Sequence, residues 1–403
     1  MFRTLLASAA AAALAGPALG QDFNAAPPNV PENEPAFEGQ TRAPVMADDI
    51  PLETTAVVEG LDHPWGMDLL PSGEWIVTER AGNLRLVAED GTLSEPITGL
   101  PPMYVKEQGG LLDVLAAPDF AESRRLFLSY AAPEATTLGA DERTDQGPEQ
   151  TVVITATLSE DGTALENVQE IFRQQPAWAT GKHFGSRLVL DDGGRLLITL
   201  GERSDMEPRM TAQEDDNHLG KIIRISPTGE PAGAGIEGWM PEVHSKGHRN
   251  IQAATLDDQG RLWVVDMGPQ GGDELNLAQE GLNYGWPIIT YGEEYSGEPI
   301  GEGITAQEGL EQPVYYWDPV IAPSGMVVYE GEMFPEWQGD FLIGGLQAQA
   351  VVRLDMQDDR VAGEARHLQG IGRVRDVAVA PDGALMLLID ADNGSMIRVS
   401  RGE

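Results

Sequence analysis

Short apolar or alternating runs recur along this chain, each opened by a turn rich in Gly, Pro and Asp. The pattern reads Leu70-Pro-Ser-Gly-Glu-Trp-Ile-Val77, Asp191-Asp-Gly-Gly-Arg-Leu-Leu-Ile198, Asp257-Asp-Gln-Gly-Arg-Leu-Trp-Val-Val265 and Ala380-Pro-Asp-Gly-Ala-Leu-Met-Leu-Leu388. Looser copies begin at Ala117 and at Phe334. Several lead into a second strand carrying an Arg-Leu, Arg-Ile or Arg-Val pair, as at Arg85, Arg224, Arg353 and Arg398. Alternation with a period of two places one face of each run in a core, and the turn residues reverse the chain between runs. A turn-strand-turn-strand unit repeated at intervals of some tens of residues predicts a β-propeller. Six copies imply six blades of roughly 40–60 residues each. A β-sandwich with frequent turns is the alternative, but it does not require the same Gly-then-apolar order in every copy. The expected fold is therefore all-β, a six-bladed β-propeller of four-stranded antiparallel blades over residues 54–403. Loops collected at one end of such blades would hold any ligand site.

The N-terminus breaks the pattern. One positive charge at Arg3, an Ala-rich apolar stretch from Leu5 to Leu19, and small residues at Ala18 and Gly20 read as a signal peptide over residues 1–20. The stretch is short for a membrane span, and no other segment is a candidate. A periplasmic or secreted protein is expected. Residues 21–53 are rich in Pro, Ala, Asn and Glu without periodicity, and predict a disordered leader.

Composition narrows the function. The 403 residues contain 47 Gly and 28 Pro, which suits a turn-rich β fold. A formal charge of −39 opposes binding to nucleic acid and to anionic membranes. The absence of cysteine excludes disulfides, thiolate catalysis and Cys-based zinc sites. No EF-hand loop, HExxH, Walker loop, Rossmann fingerprint or GxSxG occurs.

Three segments could carry chemistry. His183, in Gly181-Lys-His-Phe-Gly-Ser-Arg187, sits where a loop enters a strand, and imidazole is the side chain suited to proton transfer near neutral pH. Glu202, after the next apolar run, could fix its tautomer. Arg249-Asn250 pairs a bidentate cation with an amide. Gly268-Pro269 forms a tight turn whose carbonyls could face calcium, a hard cation, with Asp273 and Glu274 close by in sequence. Arg373 and Arg375 share one face of an extended stretch, where an anion would relieve their repulsion. Each feature also has a plain structural reading: a packed histidine, a surface arginine, an interblade turn, a solvated pair.

Taken in order, these segments resemble the soluble pyrroloquinoline quinone (PQQ)-dependent glucose and sorbosone dehydrogenases, especially bacterial aldose sugar dehydrogenases. The resemblance runs from about Val57 to the C-terminus. It rests on His63-Pro-Trp-Gly66, Val77-Thr-Glu-Arg80, Glu107-Gln-Gly-Gly-Leu-Leu-Asp113, the His183 and Gly247-His-Arg-Asn250 segments, and Gly268-Pro-Gln-Gly-Gly-Asp-Glu-Leu-Asn276. Asn283-Tyr-Gly-Trp-Pro287, Trp317-Asp-Pro319 and Arg373-Val-Arg-Asp376 complete it. The resemblance implies a six-bladed propeller that oxidises aldoses at C1 to lactones. His183 would be the base and Glu202 its acidic partner, where the family usually has aspartate. Arg249, Asn250 and Gln108 would contact the quinone, with Gln108 also reaching the sugar. Arg373 and Arg375 would clamp the cofactor's carboxylates. Gly268 and Pro269 would bind calcium through carbonyls, Asp273, Glu274 and Tyr284 a second calcium, and Trp317 would line the sugar pocket. Gln347 stands where the family often has lysine, which implies weaker hold on the cofactor. The implied partners are an aldose and an external electron acceptor, with the protein a monomer or homodimer. A calcium-dependent propeller lactonase would need side-chain carboxylates converging on the metal. A non-catalytic sugar-binding propeller would not need His183, Arg249, Arg373 and Arg375 together.

Overall fold

The computed structural model describes residues 22–47, 50–134 and 147–403; the expected signal peptide lies outside them. Six antiparallel sheets follow one another along the chain. Blade 1 comprises β2 (Pro64–Leu69), β3 (Trp75–Glu79) and β4 (Asn83–Val87), preceded in the chain by β1 (Leu52–Leu61). Blade 2 comprises β5 (Leu111–Ala116), β6 (Arg125–Pro133), β7 (Glu149–Leu158) and β8 (Leu165–Arg173). Blade 3 comprises β9 (Leu188–Leu190), β10 (Leu196–Thr199), β11 (Lys221–Ile225) and β12 (Val243–Lys246). Blade 4 comprises β13 (Ile251–Leu256), β14 (Leu262–Asp266), β15 (Asp273–Leu277) and β16 (Tyr315–Trp317). Blade 5 comprises β17 (Pro323–Val328), β18 (Phe341–Gly345), β19 (Ala350–Gln357) and β20 (Arg360–His367). Blade 6 comprises β21 (Val374–Val379), β22 (Leu385–Ile389) and β23 (Gly394–Arg401), with β1 as its outer strand. Pairing the first strand with the last, in the register Leu52↔Arg401 to Leu61↔Gly394, closes the ring without a free edge at the seam. Two short helices, α1 (Phe120–Ser123) and α2 (Met206–Thr211), interrupt the strands.

The expected six-bladed propeller is the fold. Blade 1 alone has three regular strands; its fourth position is taken by a segment that bridges at Val87↔Leu93 and continues through Ser94 N–H to Leu86 O and Ile97 N–H to Leu84 O. Pro96 and the short loop keep this stretch from forming a full ladder.

Several strands, such as β3, β14 and β22, are buried along their whole length because both sheet faces meet neighbouring blades. Among the described residues, each of the six interfaces holds its own core cluster, with two smaller clusters beside them. Ile76, Leu111, Leu126 and Ile154 join blades 1 and 2, and Trp263, Leu275, Ile343 and Val352 join blades 4 and 5. The innermost strands β2, β5, β9, β13, β17 and β21 contact one another in a closed cycle around the axis. An ion triad fills this axis: Arg187 Nη1 lies 3.0 Å from Asp113 Oδ1 and 3.2 Å from Asp376 Oδ1, all three buried. The guanidinium stacks over Trp65 at 4.5 Å. Two glycines make the room. A Cβ on Gly66 would come within 2.6 Å of Asp113 Oδ1, and one on Gly325 within 1.8 Å of Asp376 Oδ1.

The leader departs from expectation. Residues 22–47 are not disordered: they form a strap over the outer strands of blades 4 and 5, bridging at Thr41↔Tyr316 and Val45↔Glu364. Gln40 and Ala43 are buried, and Ala43 joins the core cluster of those blades. Arg42 donates to the carbonyls of Asn24, Ala26 and Asp318. The segment lacks strand periodicity because scattered blade side-chain and backbone groups, rather than a ladder of its own, satisfy its backbone.

Candidate active site

The topology gathers the candidate residues. Every inner strand starts at one end of the axis, and every second strand, being antiparallel, finishes there. Gln108, His183, Arg249-Asn250 and Arg373 precede β5, β9, β13 and β21, while Arg80, Met267-Gly268-Pro269 and Leu346-Gln347 follow β3, β14 and β18. Turning into the inner strand takes a left-handed residue. Gly247 and Gly372 serve at φ 80° and 119°, but His63, Glu107, His183 and Ala322 are held there at about 50° without being glycine. Strain of that kind at His183, of order 1–3 kcal/mol, is typical of residues placed for function.

His183 Nδ1 lies 2.8 Å from Glu202 Oε2. Glu202 Oε2 also accepts from Ser204 N–H at 2.5 Å. An ionised carboxylate only accepts, so Nδ1 carries the proton and Nε2 presents a lone pair. The His183 main-chain N–H donates to Gln108 Oε1 at 2.8 Å, which fixes the loop. Burial lowers the His183 pKa; Glu202 opposes that shift and Arg249 adds to it. Burial alone would raise the Glu202 pKa, but His183 and Arg249 outweigh it and hold the carboxyl below its usual range. A neutral imidazole backed by an ionised carboxylate is thus the state at neutral pH. Both side chains are buried, at 6% and 0% exposure.

Arg249 reaches the Gly-Pro turn. Its Nη1 donates to Met267 O at 2.7 Å and Gly268 O at 2.9 Å, while Nε is buried without a partner. The carbonyls of this turn therefore converge on a cation, the donor chemistry that calcium prefers. Asp266 secures the approach by accepting from the Arg249 and Asn250 N–H groups at 2.7 and 2.6 Å. The expected calcium carbonyls, Gly268 and Pro269, coincide with the pair that Arg249 holds only in part: Gly268 O already accepts from Arg249, and its companion is Met267 O rather than Pro269 O.

A cavity opens beside these groups. Trp65, Arg80, Gln108, Phe184, Gly185 and Asn250 line one side; Met267, Ala322, Leu346, Gln347, Arg373 and Arg375 line the other. His183 and Arg249 stand one residue behind the lining residues Phe184 and Asn250. On a chain of net charge −39 this cavity is basic. Arg375 bonds Asp390 at 2.8 Å and Arg373 approaches the same carboxylate at 3.4 Å. Burial would raise the Asp390 pKa, but Arg375, His63 and Arg373 hold it well below the carboxylate range. One carboxylate against three guanidinium groups, with Arg375 Nε buried and unpartnered, leaves an excess positive charge suited to a polycarboxylate. PQQ, a flat tricarboxylate, fits that donor set.

The structure thus brings Gln108, Asn250, Gln347, Arg373 and Arg375 to one cavity, with His183, Glu202, Arg249, Gly268 and Pro269 around it. Of the rest, Asp273 lines the neighbouring cavity with Gly268 and Pro269, and Trp317, Tyr284 and Glu274 line neither cavity. Trp317 lies in the outermost strand of blade 4, 3% exposed, with its indole N–H on Glu364 and its ring edge-on to Tyr315; it is core. Tyr284 stacks on His248, and its hydroxyl is engaged by Leu277 O and Gln279 N–H. Asp273 accepts from the N–H groups of Gly268, Ile321 and Ala322 at 2.8–2.9 Å, which ties blade 4 to blade 5. Glu274 is raised to about 8 by burial and then by Asp266 and Asp273. Among the described residues no three His, Cys, Asp or Glu side chains converge as a metal cluster. Sequence reasoning assigned no role to Trp65 or Arg80, although both lie in segments it singled out. Their places within β2 and just after β3 mark them as cavity residues once the blade register is known.

A family model described as Glucose / Sorbosone dehydrogenase matches residues 61–398. Aldose sugar dehydrogenase YliI of Escherichia coli is 41% identical over 84% of this chain and 90% of its own length. The crystal structure of the apo-form soluble aldose sugar dehydrogenase from Escherichia coli superposes with a TM-score of 0.80 at 38% identity, over 87% of this chain and all of that one. The PQQ-bound form of the aldose sugar dehydrogenase from Streptomyces coelicolor gives 0.68 at 26% identity, over 88% of this chain and all of that one.

Proposed function

The chain belongs to the glucose/sorbosone dehydrogenase family, and on that footing we propose that it is a PQQ- and calcium-dependent enzyme oxidising aldoses at C1 to lactones. The single observation that carries this reading is the His183–Glu202 pair, 2.8 Å apart, set beside a basic cavity with unpartnered guanidinium nitrogen. The solved PQQ-bound relative supports the identity of the cofactor.

Arg80, Arg373 and Arg375 would hold the cofactor's carboxylates, Asn250 and Arg249 its ring oxygens, and Gly268 and Pro269 a calcium ion. Bound there, the quinone supplies a two-electron acceptor and calcium polarises it. The chain's own work is at the sugar. His183 Nε2 takes the proton of the C1 hydroxyl while the C1 hydride leaves, so the carbon is oxidised to the lactone level. Glu202 stabilises the imidazolium that results, as a fixed anion bonded to Nδ1. Phe184 and Trp65 exclude water from one wall. The N-terminal Met1–Gly20 stretch supports export to the periplasm, where an external acceptor would reoxidise the enzyme; no helix among the described residues is long and apolar enough to cross a membrane.

Isothermal titration of the purified protein with PQQ, with and without calcium, tests the reading. We expect binding that tightens with calcium and, in the loaded protein, aldose-dependent dye reduction abolished by chelation. Absence of quinone binding in both conditions would overturn it.

A further inference from the structure

A second cavity continues the first past Met267, Ala322 and Gln347, which line both. Its floor is the Gly268–Gly271 turn, and its outer walls are Asn29 and Tyr295. Asn29 belongs to the N-terminal strap, far from the propeller in sequence. The Asp318 carboxylate fixes it there by accepting from the Asn29 and Val30 N–H groups at 2.7 and 3.0 Å.

Tyr295 is 74% exposed, more than any other large apolar or aromatic side chain described. It sits on a hairpin tip that is tied down on both sides. Glu293 pairs with Gln270 through backbone bonds of 3.0 and 3.2 Å, and Glu294 forms an ion pair with Arg209 of α2. The backbone that carries Tyr295 is anchored, so a ligand covering its exposed ring would cost little loop ordering.

The chemistry of these walls is that of a neutral polyol. The carboxylates near them are already engaged: Asp273 by three N–H groups, Asp318 by two, Glu293 by Gln270 Nε2, and Glu294 by Arg209. What remains is an aromatic face and the planar amides of Asn29 and Gln347. A pyranose offers a C–H face that covers an aromatic ring and hydroxyls that pair with amides.

We propose that Tyr295 and Asn29 form an outer subsite for the second, non-reacting ring of a disaccharide or longer aldose whose reducing end occupies the first cavity. The assignment rests on the aldose-oxidation reading. It also gives the strap a function: it carries a substrate contact from the N-terminus to the axial end of the propeller.

The test compares glucose with maltose on the reconstituted enzyme. Tyr295→Ala should lower kcat/KM for maltose about tenfold, mainly through KM, a change of about 1.4 kcal/mol. Glucose should stay within about twofold, and Tyr295→Phe should retain maltose activity. Equal loss on both sugars, no loss on either, or a wild type that oxidises glucose but not maltose would overturn the subsite. Saturation-transfer NMR with maltose on the cofactor-free protein reads the subsite independently. The non-reducing ring should be contacted in wild type and released in Tyr295→Ala, even if no aldose is oxidised and the catalytic reading fails. No contact to that ring in wild type would refute the subsite alone.

Discussion

At the residue scale the account turns on one imidazole. His183 is lowered below its ordinary value of about 6.5 by burial, with Glu202 opposing and Arg249 reinforcing the shift. The neutral form is the base, so activity should persist through neutrality and fall only as the pH drops below that value through the folded pKa. Glu202→Gln removes the anion that favours imidazolium. The acid limb of kcat/KM should then move to still lower pH while the rate at pH 7 falls by at least about tenfold. A rate loss with an unmoved acid limb would show that Glu202 only supports the fold. Much of this pair was legible in the sequence, because a histidine entering one strand and a carboxylate leaving the next are adjacent in any antiparallel hairpin. Trp317 and Tyr284 were not legible: motif adjacency says nothing of which strand of a blade a residue occupies. Both fall on outer strands or their loops, where an aromatic side chain packs between sheets.

At the element scale the inner strands do two jobs, presenting the site residues at one end and closing on a buried ion triad. Arg187 opposes but does not cancel the effect of burial, which raises both carboxyls on the axis, Asp113 to about 7 and Asp376 above its ordinary value. The reason for glycine at position 325 is visible only in the fold, as the 1.8 Å overlap a Cβ there would have with Asp376 Oδ1. Gly325→Ala should displace that carboxylate from Arg187 and cost about 3 kcal/mol or more, as breaking a buried pair does. Urea unfolding would register it as a lower midpoint with an unchanged slope; a midpoint equal to wild type would show the axis to be more yielding than its packing suggests. The strap was illegible for a different reason. Its order comes from Asp318, Tyr315 and Tyr316 in blade 4, so no local pattern of residues 22–47 could announce it.

At the scale of the whole molecule, six turn-strand repeats foretold six blades, because each repeat must bury both faces against its neighbours and the ring satisfies all of them at once. The same symmetry concentrates residues from distant segments at one end of the axis. Charge follows an opposite course there: a strongly acidic protein keeps three arginines around one cavity, with Asp390 alone bonded to two of them. Such a site attracts a polyanion that the rest of the surface repels. The central claim joins these scales, since the cavity, the seat at Gly268 and the base at His183 must act together on one sugar. Anaerobic addition of glucose to the PQQ- and calcium-loaded protein, with the absorbance of the bound quinone followed in time, tests it most directly. The account expects rapid loss of the oxidised quinone spectrum in wild type and a rate at least about a hundredfold slower in His183→Ala with equal cofactor occupancy. Equal rates in the two proteins, or an oxidised spectrum unchanged by any aldose in wild type, would contradict it.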